Sequence, residues 1–241
     1  MNRSDEKSAS SSEAAVFTRT LAGLKRRGCG ILLVGPRCDD ALDRACDRFL
    51  GESRERPRRR LLVCTDASGH DRLSNHAPFP APETSSETVR VVDRTTRTRS
   101  ASGAATSVAA GTPDADVTAV RVTDESLPAL DDAIVECIDE FRAVSGGLDP
   151  AELRVCVDSV APLVEDHGAE AVFRFLRVLA ARVRCDGGMG HFHLPTDANL
   201  DLVRTLAPVF DAVVEVRCRR GDAEQRWHLQ EQDVTTRWLS L

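Results

Sequence analysis

The segment that follows the apolar run Ile31–Val34 has the spacing of a phosphate-binding loop but lacks the side chains that bind phosphate. Such a loop has the pattern GxxxxGK[ST], in which the backbone amides and the lysine bind phosphates and the hydroxyl holds magnesium. Counted from Gly35, the sequence is GPRCDDAL. Asp40, Ala41 and Leu42 therefore replace the second glycine, the lysine and the hydroxyl residue. The loop predicts a phosphate site that has lost ATP binding and hydrolysis.

The charges of this loop also oppose a bound triphosphate. Asp39 and Asp40 would repel it, at a cost on the order of several kcal/mol at a modest effective dielectric constant. Either carboxylate can instead cap the amides at the start of the next helix. Gly35–Pro36 alone also fits an ordinary turn between a strand and a helix. In an alternative interpretation the protein binds ATP, and Arg37 or a partner's arginine replaces the lysine.

A second candidate segment is the apolar run Leu153–Asp158, which Ser159 follows. An apolar strand that ends in an acid has the form of a Walker B element, whose carboxylate holds the magnesium shell. In the alternative interpretation, Asp158 is a strand-end residue that caps the next loop. Ser159 has acidic neighbours, but the chain has no G-x-S-x-G motif, which argues against a hydrolase triad.

Two histidines at alternating positions of a predicted strand, His191 and His193, share a face and can begin a metal site. Spacing fixes no third ligand, although Cys185 and His167 are candidates. The eight cysteines are scattered singly, without a CxxC pair, which argues against disulfides and structural zinc. We therefore favour packing or hydrogen bonding for the two histidines and expect no metal and no cofactor.

The elements that must position these residues form a parallel sheet. Strands are predicted at 31–34, 61–65, 89–93, 117–122, 153–158 and 189–194, and helices at about 127–144, 169–184 and 198–206. Alternation of strands and helices is typical of βαβ units. The sequence predicts an α/β fold, a mostly parallel central sheet flanked by helices, with a short antiparallel edge at the C-terminus. Ligands of such sheets bind at the carboxyl ends of the strands, here after Val34 and Val157.

Composition sets the remaining expectations. Residues 1–13 are predicted to be a disordered tail, and 14–241 a single domain with a low-complexity insertion at about 94–116. The polar N-terminus has no apolar stretch of the kind that a secretory signal needs, and no apolar run approaches the roughly 18 residues of a membrane span. We expect a cytoplasmic protein without membrane contact.

Two groups of arginines are candidates for contacts with nucleic acid. They are Arg54, Arg56, Arg58, Arg59 and Arg60, and Arg94, Arg97 and Arg99. Aromatic residues make up 4% of the chain and none lies among these arginines, so bases have no platform for stacking. Solvated loops are the favoured interpretation, and specific nucleic-acid binding is not expected.

Residues 154–195 resemble the Walker B strand, the following helix and the next strand of KaiC/RecA-like ATPases. This segment, RVCVDSVAPLVEDHGAEAVFRFLRVLAARVRCDGGMGHFHLP, is most similar to a haloarchaeal group of KaiC-like proteins with a degenerate Walker A motif. The resemblance covers about residues 17–241, apart from the insertion. It implies a RecA/KaiC-like P-loop core in which Gly35 is the first Walker A glycine and Asp158 the Walker B acid. The vestigial nucleotide site that it implies comprises Gly35, Pro36, Arg37, Asp39, Asp40, Asp158, Ser159 and His193.

The resemblance and the altered loop together predict a pseudo-ATPase without catalytic residues. It would act as a regulatory or protein-interaction module in signalling, through a protein partner or self-association, since RecA-like folds pack side by side. The alternatives are an ATP-binding protein with a non-standard phosphate loop and a DNA-associated recombination accessory.

Overall fold

The computed structural model describes residues 17–36, 41–51, 58–65, 85–94, 116–198 and 200–241. Its helices are α1 (17–27), α2 (Ala41–Leu50), α3 (Leu127–Ser145), α4 (Val160–His167), α5 (Ala169–Cys185) and α6 (Asp201–Leu206). A 3₁₀ turn, Ala207–Val209, follows α6. Its strands are β1 (Cys29–Val34), β2 (Arg59–Cys64), β3 (Ser85–Asp93), β4 (Asp116–Arg121), β5 (Leu153–Asp158), β6 (Met189–Leu194), β7 (Ala212–Arg219), β8 (Asp222–Leu229), β9 (Val234–Thr235) and β10 (Leu239–Ser240).

These ten strands form one sheet in the order β10-β8-β7-β1-β6-β5-β2-β3-β4, with β9 also beside β8. The run from β7 to β4 is parallel throughout. The pairs that β8 makes with β7, β9 and β10 are antiparallel. The predicted fold class, a mostly parallel sheet with an antiparallel C-terminal edge, is confirmed.

Helices cover both faces of the sheet. On the first face, Leu32, Val155 and Phe192 pack against α3, α4, α5 and α6. On the second face, Ile31 and Met189 pack with residues of α1 and α2. Every residue of β1, β5 and β6 is buried. Strands buried on both faces are mostly apolar, and here the exceptions are Arg154, Asp158, His191 and His193.

The main difference from the predicted elements is α4, Val160–His167, which sequence patterning does not indicate. Its eight residues include Pro162 and three charged or titratable side chains, so its sequence is that of a loop. Pro162 is tolerated because it lies in the first turn, where the backbone N–H has no helical partner. The predicted helix at 198–206 is shorter and begins at Asp201.

Two compositional predictions fall mostly outside the described residues. The tail at 1–13 lies there entirely, and the insertion at 94–116 lies there except for its two ends. Those ends are ordered: Arg94 is buried, and Asp116 begins β4. None of the helices in the described part of the chain combines the length and apolar character that crossing a membrane requires.

Candidate functional site

The order of the strands puts a topological switch point between the carboxyl ends of β1 and β6, and we call this position the crevice. The connection that leaves β1 runs through α2 on the second face, whereas the connection that leaves β6 runs through α6 on the first face. Ligands of doubly wound sheets bind where neighbouring connections diverge in this way. Gly35 and Pro36 follow β1 directly, and His193 lies near the end of β6, beside Leu33 of β1.

The first two residues of α2 occupy the loop positions that would carry the lysine and the hydroxyl. Ala41 is 1% exposed and Leu42 5% exposed, and Leu42 packs into the apolar core of the second face. Both positions are thus part of the interior and present no polar group to a phosphate. Arg37, Asp39 and Asp40 lie outside the described residues.

Close packing against β7 explains why residue 35 is a glycine. A Cβ atom at this position would lie 2.5 Å from the carbonyl oxygen of Val216 in β7, and 2.7 Å from its Cγ2. The first of these separations is shorter than any ordinary carbon–oxygen contact and involves backbone that cannot swing away. The close approach of β7 therefore requires glycine here independently of any phosphate.

Asp158 and Ser159 have separate roles at the end of β5. Asp158 is buried, and its backbone carbonyl accepts a hydrogen bond of 2.9 Å from the amide of Thr65. The Ser159 hydroxyl accepts a hydrogen bond of 3.1 Å from the Ala161 amide and so caps α4. The Ser159 side chain therefore stabilises the start of this helix.

Four side chains with metal-ligand atoms converge beneath α2, on the second face of the sheet. Their ligand atoms all lie within 4.8 Å of one another, and three of the four residues are buried. We call this group the Cys–His cluster; its members are Cys46 of α2, Cys156 of β5, and His191 and His193 of β6. It is the one such group of three or more among the residues that the structure describes.

The prediction that the two histidines share a face is confirmed, since the ring centroids of His191 and His193 lie 5.3 Å apart. Their expected companions do not join them. Cys185 is exposed at the end of α5, and His167 contacts Arg94. The companions that sequence spacing missed, Cys46 and Cys156, come from other elements and lie far away along the chain.

Within the cluster, Cys46 is the central residue. Its Sγ lies 3.6 Å from the Sγ of Cys156 and 3.2 Å from Nε2 of His191. The Phe49 ring packs beside His191, with 5.4 Å between the ring centroids, and limits its rotation. Both of these sulfur contacts meet at Cys46.

The electrostatics of the cluster favour one thiolate beside neutral imidazole. A hydrogen bond from Cys156 holds the pKa of Cys46 well below its usual value, against the opposing effect of burial. The same hydrogen bond, together with burial, raises the pKa of Cys156. Burial lowers the pKa of His191 and favours its neutral form. A thiolate and a neutral imidazole are the forms in which these residues bind metals.

The arginine groups are not solvated loops where the structure describes them, and that interpretation was wrong for these residues. Arg59 pairs with Glu152 at 3.2 Å. Arg60 is 1% exposed and donates to the carbonyl oxygen of Gly51 at 2.6 Å. Arg94 donates to Asp166 at 3.0 Å. These guanidinium groups connect elements of the fold. Arg54, Arg56, Arg97 and Arg99 lie outside the described residues.

Comparison with known proteins identifies a family but no activity. A search of curated proteins found no match to the chain. One family model, described as a family of unknown function and designated DUF7504, matches residues 28–216. The match begins just before β1 and ends within β7, so it includes the crevice and all four members of the Cys–His cluster. The chain therefore belongs to the DUF7504 family of unknown function.

Proposed function

We propose that this protein is a catalytically degenerate RecA/KaiC-like domain that acts as a regulatory or protein-interaction module in signalling. The observation that carries the proposal is the burial of Ala41 and Leu42 at the start of α2. A working loop presents an ammonium group and a hydroxyl at these two positions. Here both side chains are apolar and belong to the core, so nothing at these positions can bind a γ-phosphate or magnesium.

The topology supports descent from a nucleotide-binding plan. The strand that precedes Gly35 and the strand that ends in Asp158 flank β6, and both end at the same edge of the sheet. A glycine turn and a strand-end acid would face one phosphate group across such a crevice. This arrangement supports a nucleotide-binding plan in which the groups that process a nucleotide have been replaced, and we therefore propose a function through protein contacts.

The two alternatives receive less support. An ATP-binding role for Arg37 is decided by the titration below, since that residue lies outside the described part of the chain. A role in DNA recombination would use the arginine groups. Arg59, Arg60 and Arg94, however, contact Glu152, Gly51 and Asp166 within the domain, which leaves less positive charge for phosphates.

Calorimetric titration with Mg-ATP tests the proposal on the wild-type chain and on a variant in which the phosphate-binding motif is restored. We expect no heat of binding with the wild-type chain. The triple variant Asp40→Gly, Ala41→Lys, Leu42→Thr restores GxxxxGK[ST] and should bind ATP with micromolar affinity. The matched control carries Asp40→Gly, Ala41→Gln and Leu42→Thr, which lacks the cation and should not bind. Circular dichroism establishes that each variant is folded.

The outcomes separate the parts of the proposal. Micromolar binding by the wild type would contradict a degenerate site and favour the ATP-binding alternative. A folded restored variant without affinity for ATP would contradict the nucleotide-binding plan itself. Self-association is measured independently by sedimentation velocity across a concentration series, in which a monomer at all concentrations would require a separate protein partner.

A further inference from the structure

We propose that Cys46, Cys156, His191 and His193 form a tetrahedral Cys₂His₂ site that binds one zinc ion. The site lies in the core beneath α2. The matching family is of unknown function, and its description names no metal. The inference does not rest on the proposed function, because it uses neither a nucleotide nor the phosphate loop.

The distances fit zinc. With Zn–S of about 2.3 Å and Zn–N of about 2.0 Å, tetrahedral geometry places two sulfurs about 3.8 Å apart and a sulfur and a nitrogen about 3.5 Å apart. The corresponding separations here are 3.6 Å between Cys46 and Cys156 and 3.2 Å between Cys46 and His191. All ligand atoms lie within 4.8 Å, so closing the tetrahedron needs shifts of about 1 Å.

The surroundings make simple packing a poor explanation. Across the neighbouring strands, Leu62 lies beside Cys156 and Leu33 beside His193. Leucine at these two neighbouring positions shows that apolar side chains can fill this layer of the second face, although the buried Arg154 lies two residues before Cys156 in β5. Two thiols and two imidazoles instead converge on one point from three elements. That convergence is what a metal site requires and what packing does not.

Charge balance also favours a divalent ion. Zinc binding displaces the proton of Cys156 as well, so two thiolates and two neutral imidazoles carry a total charge of −2 and the bound zinc ion makes this ligand set neutral. A neutral complex can be buried without the large desolvation penalty of an isolated charge. The ligand set selects among metals as well: thiolate and imidazole in tetrahedral array suit zinc, whereas calcium and magnesium require oxygen ligands.

The site is of the structural kind. Four protein ligands close the coordination shell and leave no position for water or substrate. Three ligands belong to the rigid pair β5–β6, whose register sets Cys156 beside His191. The fourth, Cys46, belongs to α2. Bound zinc would therefore attach α2 to the sheet and fix the helix that begins at the former phosphate loop.

Metal analysis of the untagged, full-length chain is the first test. The protein is purified under reducing conditions without chelator and its zinc content is measured by inductively coupled plasma mass spectrometry. We expect about one zinc per chain, either as purified or after reconstitution with zinc alone. Replacement by cobalt(II) should give thiolate-to-cobalt charge transfer and the intense ligand-field bands of a tetrahedral site.

Variants locate the metal. Cys156→Ala and His193→Ala should lose it, with a fall in zinc affinity larger than the roughly 10–100-fold that removal of an outer-shell partner causes. Cys137→Ala is the control for a buried cysteine on the opposite face, and His228→Ala the control for a histidine outside the cluster. Both controls should keep one zinc. Cys46→Ala, at a half-buried position, supplies a ligand variant that disturbs the core least.

Several results would overturn the proposal. Zinc content far below one per chain after reconstitution would do so, as would a weak, octahedral cobalt spectrum of the wild type. Zinc retained by the ligand variants would show that the ion binds elsewhere. A disulfide between Cys46 and Cys156 in the freshly isolated chain, detected by peptide mass spectrometry, would replace the metal site with a redox pair. Each of these outcomes leaves the ATP titration unaffected, so the two proposals can fail separately.

Discussion

Thr65 and Ser159 exchange two hydrogen bonds across the carboxyl ends of β2 and β5. The amide of Ser159 donates to Oγ1 of Thr65 at 2.6 Å, and the Thr65 hydroxyl donates to the carbonyl oxygen of Ser159 at 2.5 Å. Both residues are buried. One hydroxyl thus satisfies both backbone groups of the residue that caps α4, at the edge of the sheet that bears the crevice.

Replacing this hydroxyl should destabilise the domain. Thr65→Val keeps the shape of the side chain but leaves the buried Ser159 amide without its acceptor, so we expect a loss of about 2–3 kcal/mol in the free energy of unfolding. Denaturant unfolding at constant salt measures it. Thr65→Ser retains the hydroxyl and should lose about 1 kcal/mol or less, from the missing methyl group. Equal losses in the two variants would contradict the role of the hydrogen bonds.

The close approach of β7 to Gly35 predicts that Gly35→Ala separates β1 from β7. Overpacking of this kind should lower the free energy of unfolding by about 2–3 kcal/mol. Gly23→Ala in α1 is the matched control, since a Cβ there meets nothing within 4 Å. It should raise the free energy of unfolding by about 0.5–1 kcal/mol through helix propensity. An unchanged free energy of unfolding in the Gly35→Ala variant would show that β7 can move away from residue 35.

The buried guanidinium of Arg94 predicts a large effect at one end of the low-complexity insertion. It donates to the carbonyl oxygen of Glu125 at 2.7 Å and to Asp166 at 3.0 Å. Arg94→Met should cost about 2 kcal/mol, because these charge-assisted hydrogen bonds disappear. The Arg121 side chain is 67% exposed and forms an ion pair with Asp93. Arg121→Met removes this pair and should change the free energy of unfolding by under about 0.5 kcal/mol. Comparable thermal shifts in both variants would contradict this distinction.

Stability should fall at alkaline pH because of Cys29. Burial, with a contribution from Asp211, raises the pKa of this thiol to about 12, whereas in the unfolded chain it ionises near about 8.5. Between these values only the unfolded state loses the proton, so the contribution present below pH 8.5 is lost as pH rises toward 12. The stability difference between wild type and Cys29→Ala should therefore shrink across this range. Cys185→Ala controls for loss of an exposed thiol, and a constant difference would contradict the prediction.

The sheet could be predicted from the sequence where its strands are buried on both faces. Leu153–Asp158 and Met189–Leu194 are predicted to the residue, because each is a mainly apolar run, the first between Glu152 and Ser159 and the second between Gly188 and Pro195. Val160–His167 was missed because Pro162 and the acidic residues after it suit a loop as well as a helix. That helix forms since Ser159 caps it and Val160 and Leu163 are buried, and such tertiary support is not visible in local pattern.

Only the two histidines of the Cys–His cluster could be predicted from the sequence to lie together. Period-two alternation places His191 and His193 on one face, and it also places Cys156 on a single face of β5. Which strands are neighbours, and which helix covers them, depends on the order of the sheet. Cys46 and Cys156 are 110 positions apart. Spacing rules describe ligands that lie close in sequence, so they do not detect a site assembled from α2, β5 and β6.

The position of β1 has a consequence for how the chain is synthesised. Its hydrogen-bonded neighbours are β6 and β7, the last two parallel strands to leave the ribosome. A nascent chain that ends before Met189 therefore carries the wholly apolar strand Cys29–Val34 with both edges unpaired. The sheet cannot close around β1 until β6 and β7 have been synthesised, because contacts between distant segments form slowly and only when both segments are present. During elongation up to that point, we expect β1 to be exposed to chaperones and to aggregation.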